Sequence, residues 1–294
     1  MQFVDIGIGN VTFRAQLLAD RAAATAGAIW EALPFDGQFV HGQWSGAMIR
    51  SLGPAPIAAG SGDRGAPFQH PGLVVLDPTT GGLAICYGQG RLNPDSLPAA
   101  PIPVAQIGGD LAPLTEIGAA MQWDGAASFV FSRSADQDMP LAPEPIAPGR
   151  AIDVELDDVV VTATLLEATS PAATAAFAAL LPLAGRATNT HSSGPLTRFW
   201  NPAGGSEGET PLATDDRDAR QVILYPGSLY YLPSPPWRGI RIAREATMMR
   251  GAVSGGDTRL IPLARFDGDW SPFQRTAERL TVEGARPLRF RLRS

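Results

Sequence analysis

Two stretches of the chain share one pattern, and this repeat decides the fold. Residues 4–50 read VDIGIGNVTFRAQLLADRAAATAGAIWEALPFDGQFVHGQWSGAMIR, and residues 152–198 read IDVELDDVVVTATLLEATSPAATAAFAALLPLAGRATNTHSSGPLTR. At a constant spacing of 148 positions they share thirteen identical pairs, the last being Arg50 with Arg198. Because the identities keep one register throughout, the sequence predicts one structural unit that occurs twice.

The repeat also predicts the domain boundaries. The match resumes at a spacing of 159, where Gly109 aligns with Gly268, so the extra residues fall in the middle of the second half. Residues 134–149 contain four prolines and little hydrophobic periodicity, which is typical of a linker. We therefore expect one domain over 1–133, a linker over 134–149 and a second domain over 150–294.

Composition limits the class of protein. The chain has 294 residues, of which 45% are hydrophobic and 18% charged, as in an ordinary globular protein. No apolar run reaches the roughly 20 residues of a membrane span, and the N-terminus lacks the layout of a signal peptide. The single cysteine, Cys86, fits a reducing compartment. The net charge of −6 argues against binding to nucleic acid. We expect a cytoplasmic protein with neither nucleic-acid nor membrane partners.

The residue types that are missing exclude several kinds of chemistry. All 23 basic side chains are arginine, which excludes a Schiff-base lysine and a lysine-containing phosphate loop. The three histidines and one cysteine are too few for a zinc site of the usual His/Cys spacing. The sequence thus predicts no metal and no cofactor. The chemistry that remains is proton transfer by His, Asp, Glu or Tyr, with arginine to hold an anion.

The order of elements is the same in both halves. A hairpin leads to a helix, then to two strands around a Ser-Gly turn, a long loop, a second strand pair, a second helix and a closing strand. The predicted helices are Ala22–Leu33, Leu111–Gln122, Pro171–Leu181 and Ser271–Thr281, with Ser170 as the N-cap candidate of the third. The second strand pair of the second half is predicted over Val222–Leu232 and Ile240–Ala243. Many short antiparallel strands with two helices favour a closed barrel, because closure removes the sheet edges.

Several segments resemble the cyclophilins. The helix segment 22–34 after a hairpin follows the cyclophilin order, and 104–114 resembles the segment that enters the second cyclophilin helix. Residues 73–88 and 283–290 are similar to small bacterial cyclophilin-like proteins of uncharacterised function. The resemblance implies a mainly β chain of two tandem cyclophilin-like closed β-barrels, each capped by about two α-helices.

The chain departs from the cyclophilins where their prolyl isomerases carry the catalytic arginine. That arginine directly follows a histidine on the third strand, whereas here His41 is followed by Gly42. The aligned positions of the second half, Asn189 and Thr190, also lack a basic residue. Because the arginine stabilises the twisted amide, we expect no prolyl isomerase activity. The resemblance implies no other reaction.

A candidate site lies around the third and fourth strands. His41 and Gln43 are two residues apart and therefore face the same side of a strand, with Arg50 expected nearby after the turn. In the second half His191 aligns with Gln43. The candidate catalytic residues are His41, His191 and Glu31, and the candidate substrate-binding residues are Arg50, Arg198, Gln43, Trp44, Tyr87 and Trp237.

These candidate residues are compatible with two different functions. The first is a metal-independent lyase or hydrolase that acts on a small, carboxylate-bearing nitrogenous substrate, with histidine as acid or base and arginine as the anion clamp. The second is a noncatalytic cyclophilin-like module that binds a small ligand or peptide. The arginines and histidines also fit purely structural roles, as loop anchors and surface residues. A homodimer is left open.

Overall fold

Each half of the chain folds around its own core. The computed structural model describes residues 1–293 apart from 43–45, 67, 92–99, 139–140, 142–145, 191–194, 207, 236 and 250–257. The chain divides into unit 1, Met1–Pro145, and unit 2, Ile146–Ser294.

Unit 1 is a closed antiparallel barrel with two helices. Its strands follow the order β4-β3-β9-β1-β2-β8-β6-β7, β7 pairs back to β4, and β5 adds to β7. The elements are β1 (Phe3–Ile8), β2 (Val11–Leu17), α1 (Ala23–Ala32), β3 (Phe35–His41), β4 (Gly46–Ser51), β5 (Phe68–Gln69), β6 (Leu73–Leu76), β7 (Leu83–Arg91), β8 (Ile102–Ile107), α2 (Ala112–Asp124) and β9 (Ala127–Arg133).

Unit 2 repeats this barrel, with strand order β10-β11-β18-β15-β16-β13-β12-β19 and a small separate sheet of β14 and β17. The elements are β10 (Ala151–Leu156), β11 (Val159–Leu165), α3 (Pro171–Ala179), β12 (Leu183–Thr190), β13 (Leu196–Trp200), β14 (Ile223–Leu224), β15 (Ser228–Leu232), β16 (Gly239–Ala243), β17 (Thr247–Met248), β18 (Ile261–Phe266), α4 (Ser271–Glu283) and β19 (Arg286–Leu292).

Strand register confirms the duplication. Val4 pairs with Ala15 in unit 1, and Ile152 pairs with Ala163 in unit 2, which is the same register 148 positions later. The opening strands alternate buried and half-buried residues, as strands of a barrel wall do. The predicted fold class is confirmed: the chain is mainly β, with two tandem closed barrels and two helices in each.

The first helix of each unit is capped by a carboxylate from the long loop that follows β4 or β13. Asp63 Oδ2 accepts hydrogen bonds from the backbone N–H and the hydroxyl of Thr25, at 2.8 and 2.6 Å. Asp218 Oδ1 accepts from the N–H groups of Ala172 and Ala173, at 3.0 and 3.1 Å. Asp218 lies 155 positions after Asp63, an equivalence that the sequence alignment missed.

Ser170, which looks like an N-cap in the sequence, makes no capping hydrogen bond with its side chain. The N–H groups that it would bind are already taken by Asp218.

The strand expected over Val222–Leu232 is divided in two. β14 ends at Leu224 and β15 begins at Ser228, because Gly227 between them turns the chain with a φ of +70°. A Cβ at Gly227 would also lie 2.8 Å from the ring nitrogen of Trp270, so the close approach requires glycine. The predicted single strand is therefore wrong.

One part of each barrel wall is buried on both faces. In unit 1 an outer cluster covers the side of β6 and β7 that faces away from the core; it consists of Met48, Leu73, Val75, Ala84 and Cys86. Unit 2 has an outer cluster in the same place, consisting of Leu196, Leu224, Tyr230, Leu232, Ala243, Met249 and Leu260. Residues next to each other on these strands thus lie in different environments.

The start of the predicted linker packs on unit 1. Ser134 is buried, and the side chain of Gln137 exchanges hydrogen bonds with the backbone N–H and carbonyl of Phe3. None of the described helices has the length and apolar character that crossing a membrane requires.

Candidate functional site

His41 and Tyr87 meet on the inner face of the unit 1 barrel. His41 lies opposite Ile49, and Ile49 lies opposite Ile85 on β7, so these side chains share one face. Tyr87, two residues beyond Ile85, points the same way. His41 Nε2 and Tyr87 Oη are 2.6 Å apart and share a hydrogen bond.

Helix α2 provides the space for the tyrosine ring. A Cβ at Gly118 would lie 2.2 Å from Cδ1 of Tyr87, so the ring occupies the volume that a side chain at this position would fill. The hydroxyl of Thr115, one turn earlier, donates to the carbonyl of Tyr87 at 3.1 Å. The helix thus fixes both the ring and the backbone of the residue that binds His41.

The environment keeps Tyr87 protonated. Burial raises the pKa of the Tyr87 phenol, and the neighbouring Cys86 adds to the rise. A protonated phenol can donate to Nε2 of His41 or accept from it, and the tautomer of the imidazole decides which of the two groups is the donor. Burial also raises the pKa of Cys86 to about 12, and its thiol donates to the carbonyl of Gly88 at 3.0 Å. Cys86 is therefore a neutral thiol without nucleophilic character.

The other ring nitrogen of His41 differs from Nε2 in its surroundings. Nδ1 is buried and has no hydrogen-bond partner among the described residues. A buried polar atom without a partner costs about 1–3 kcal/mol, which a bound molecule would recover by forming the missing bond. Because Nε2 is bound to Tyr87, Nδ1 is the imidazole nitrogen that remains for a further hydrogen bond.

Arg50 does not share this face. In the β3–β4 hairpin Arg50 lies opposite Val40, one residue before His41, and therefore on the other side of the sheet. Its side chain is exposed. This differs from the expected pairing with His41, because the hairpin register, rather than distance along the chain, decides which face each residue occupies.

The remaining candidate residues of unit 1 add no described contact to the His41–Tyr87 pair. Glu31 is exposed on α1, and no hydrogen bond or ion pair joins it to the described residues. Gln43 and Trp44 lie outside the described residues, as does His191 of unit 2.

Unit 2 lacks the His–Tyr pair. Asn189 stands at the position of His41, and its amide nitrogen donates to the carbonyl of Ala277 at 2.8 Å and to Thr281 Oγ1 at 2.9 Å. Its Oδ1 accepts from the hydroxyl of Thr197 at 3.1 Å. The strand registers place Arg244 at the position of Tyr87. Asn189 thus has a structural role, since its hydrogen bonds join β12 to β13 and α4.

Arg198 of unit 2 belongs to a group on the outer face of the barrel. It lies opposite Arg241 on β16, and its guanidinium carbon is 4.9 Å from the ring centroid of Trp200. Arg241 Nη2 donates to the backbone carbonyl of Trp237 at 3.0 Å. The candidates Arg198 and Trp237 are therefore close to one arginine, Arg241, that sequence reasoning missed.

The signal for Arg241 was an arginine inside the apolar run Gly239–Ala243. Charged residues in buried strands need a reason, since burial of an uncompensated charge is costly. Within the described part of the chain no three His, Cys, Asp or Glu side chains are grouped as metal ligands.

One family model matches most of unit 1. Residues 4–133 match the model of a family described as "Protein of unknown function (DUF3830)". The match covers unit 1, the first of two barrels that share one design. A comparison with curated proteins found no match.

Two solved structures are similar over about half of this chain. One is McbB in complex with tryptophan, at 24% identity and a TM-score of 0.38, with 49% of this chain and 48% of the McbB chain covered. This chain thus spans about half the length of McbB. The other is the hypothetical protein AF2241 from Archaeoglobus fulgidus, at 11% identity and a TM-score of 0.31, with 49% and 95% covered.

Proposed function

We propose that unit 1 is a small-molecule enzyme in which His41 transfers a proton through Nδ1. The observation that carries this proposal is the state of the imidazole: one nitrogen is bound by Tyr87 at 2.6 Å, and the other is buried without a partner among the described residues. A histidine fixed through one nitrogen presents the other in a defined direction, as general acid–base catalysis requires.

Tyr87 acts as a positioning residue in this proposal. Its phenol holds the imidazole ring and selects the tautomer with the proton on Nδ1. That tautomer donates to a carbonyl or to a leaving group. Return of a proton to Nδ1 completes the cycle. The substrate hypothesis from the sequence, a carboxylate-bearing nitrogenous molecule, relied on Arg50 for the carboxylate; since Arg50 faces away, the proposal for unit 1 is acid–base chemistry on a small molecule.

The test is a thermal-shift screen of unit 1 ligands among amino acids, small carboxylates and cyclic amides, followed by mass spectrometry of products formed from each hit. His41→Asn introduces the residue that unit 2 has at this position. We expect it to reduce turnover by about 10²–10⁴-fold, the usual contribution of a general acid or base.

Tyr87→Phe removes only the hydroxyl, and we expect it to lower kcat less and to change the pH profile. Glu116→Gln, an exposed change on α2, is the control and should keep wild-type turnover. Equal turnover of wild type and His41→Asn would reject the proposal.

A noncatalytic role is the second candidate, and unit 2 favours it. That barrel keeps the same fold with Asn189 held by three hydrogen bonds in place of the histidine, so the fold itself does not need a proton-transfer group. Ligands that stabilise the protein without forming any product would support this candidate.

A further inference from the structure

Three residues of α2 lie on the side of the helix that faces the His41–Tyr87 pair. Thr115, Gly118 and Gln122 are three and four positions apart, a spacing that places them on one face of a helix. Thr115 binds the carbonyl of Tyr87, and the ring of Tyr87 lies over Gly118. The tyrosine therefore extends along α2 from its backbone toward its hydroxyl, and Gln122 is the next residue of this face.

Unit 2 shows which strand residue this part of the helix reaches. At the spacing of 159 positions Gln122 aligns with Thr281, and at the spacing of 148 positions His41 aligns with Asn189. The side-chain nitrogen of Asn189 donates to Thr281 Oγ1 at 2.9 Å and to the backbone carbonyl of Ala277 at 2.8 Å. Unit 2 thus binds a carboxamide group between strand and helix, beside the residue that corresponds to Gln122.

In unit 1 the corresponding polar groups do not bind each other. His41 is bound through Nε2 to Tyr87, and its Nδ1 has no partner among the described residues. Gln122 is exposed, and its side chain makes no hydrogen bond to the part of the chain that the structure describes. Because Gln122 is exposed, a small molecule can reach its amide without a preformed cavity.

The described charged side chains of the surrounding elements point away from the pair. Asp36 of β3 and Arg50 of β4 lie on the outer face of the sheet. Glu116 and Asp124 are exposed on other sides of α2, since two positions turn a helix by about 200°. A charged ligand group would lose hydration here without meeting an opposite charge among these residues, whereas a neutral amide loses much less. This region therefore favours an uncharged polar group.

We propose that Gln122 binds the substrate of unit 1, and that this substrate carries an uncharged carboxamide group. The amide of Gln122 has a donor and an acceptor, and so has the carboxamide that it binds. In the tautomer with the proton on Nδ1, His41 donates to the carbonyl of the same group. This inference rests on the proposed function of unit 1, but its test measures binding and does not need turnover.

The test compares benzamide, benzoate and benzylammonium, which have similar size and different charge. Nitrogen-15 NMR of the imidazole rings reports binding at His41, since the chain has three histidines and His41→Asn identifies the signal. We expect a saturable shift of the His41 signal with benzamide, and no more than the general salt effect with the two ions. No saturable shift with benzamide, or an equal shift with benzoate or benzylammonium, would overturn the proposal.

Gln122→Ala removes the amide and leaves the bond between His41 and Tyr87 in place. We expect it to bind benzamide about tenfold more weakly in the same titration, as for the loss of a hydrogen bond. The His41 signal without ligand should not move. Glu116→Ala is the matched control, because it removes an exposed polar side chain from another side of α2 and should keep wild-type affinity. Unchanged benzamide affinity in Gln122→Ala would contradict the role of Gln122.

The kinetics of any substrate that the thermal-shift screen finds separate this inference from the proposed function. Gln122→Ala should raise KM about tenfold with little change in kcat or its pH profile, whereas His41→Asn lowers kcat. A lower kcat at unchanged KM in Gln122→Ala would contradict a role in binding. Binding of benzamide through Gln122 without a product from any hit would reject proton transfer by His41 and support the binding site.

Discussion

At the scale of single residues, the pair in unit 1 depends on a position without a side chain. The ring of Tyr87 lies where a side chain of Gly118 would be, and only this close approach lets the hydroxyl reach His41. In unit 2 the residue 159 positions after Gly118 is Ala277, and no tyrosine stands above it. The unit that has the His–Tyr pair therefore has glycine at this helix position, and the unit without the pair has alanine.

We expect Gly118→Ala to destabilise unit 1 by about 1–3 kcal/mol, because the added methyl overlaps a ring fixed between a strand and a helix. The variant should also displace Tyr87 from His41 and lower any turnover found for the wild type. Urea unfolding and a product assay measure the two effects.

Gly27→Ala is the matched control, since a Cβ at Gly27 of α1 meets nothing within 4 Å. Alanine there should stabilise the helix by about 0.5–1 kcal/mol. If both variants stabilise the protein, the ring does not occupy the space above Gly118.

At the scale of elements, the helices were easier to predict than the groups that cap them. The four predicted helices are present, with ends that differ by at most two residues. Their caps were missed because Asp63 lies 38 positions after Thr25, and Asp218 lies 46 positions after Ala172. Propensity and periodicity are local properties, and contacts of this range depend on the fold of the loops.

The cap of α1 predicts a pH-dependent stability. The hydroxyl of Thr25, followed by the N–H groups of Thr25 and Ala24, lowers the pKa of Asp63 below its ordinary value of 3.8. A lowered pKa in the folded state gives a stabilisation that is present above pH 3.8 and is lost as the pH falls through the folded value. Asp63→Ala should therefore cost about 0.5–2 kcal/mol at pH 7, and less below pH 3.8.

Urea unfolding of wild type and Asp63→Ala at several pH values checks this. Asp20→Ala, an exposed change just before α1, should stay within about 0.5 kcal/mol at every pH. A cost that is the same at pH 7 and at pH 3 would show that the charge of Asp63 contributes nothing.

Register explains why the candidate site was predicted only in part. His41 and Tyr87 were both candidates from the sequence, and the structure brings their side chains together because both face the inside of the barrel. Arg50 lies opposite Val40, and a shift of one residue in the same hairpin would have placed it opposite His41. The spacing of residues along the sequence does not determine the hairpin register. The repeat at a spacing of 148 residues, by contrast, was enough to predict that one structural unit occurs twice.

At the scale of the whole molecule, the two units have separate cores. Phe131 of unit 1 stacks on Phe35 at 5.1 Å, and Phe290, which lies 159 positions later, packs edge-on against Phe177 and Phe199. Both are almost completely buried. Equivalent residues thus stabilise different cores.

We expect Phe131→Ala and Phe290→Ala each to cost about 3–5 kcal/mol, but in different units. Hydrogen exchange measured by mass spectrometry should show faster exchange in β1, β3 and β9 for the first variant, and in β10, β12 and β19 for the second. Faster exchange over both units in either variant would mean that the two cores unfold as one.

The glycine beneath Tyr87 also constrains how such a pair arises or disappears during divergence of the two copies. Transplanting the pair into unit 2 would take three exchanges, Asn189→His, Arg244→Tyr and Ala277→Gly, and the last must precede the second, because the methyl group blocks the incoming ring. Loss of the pair from unit 1 needs only one substitution, because any side chain at Gly118 would occupy the space of the Tyr87 ring. Loss of the pair from one copy is therefore a single mutational step, and its recovery is an ordered series.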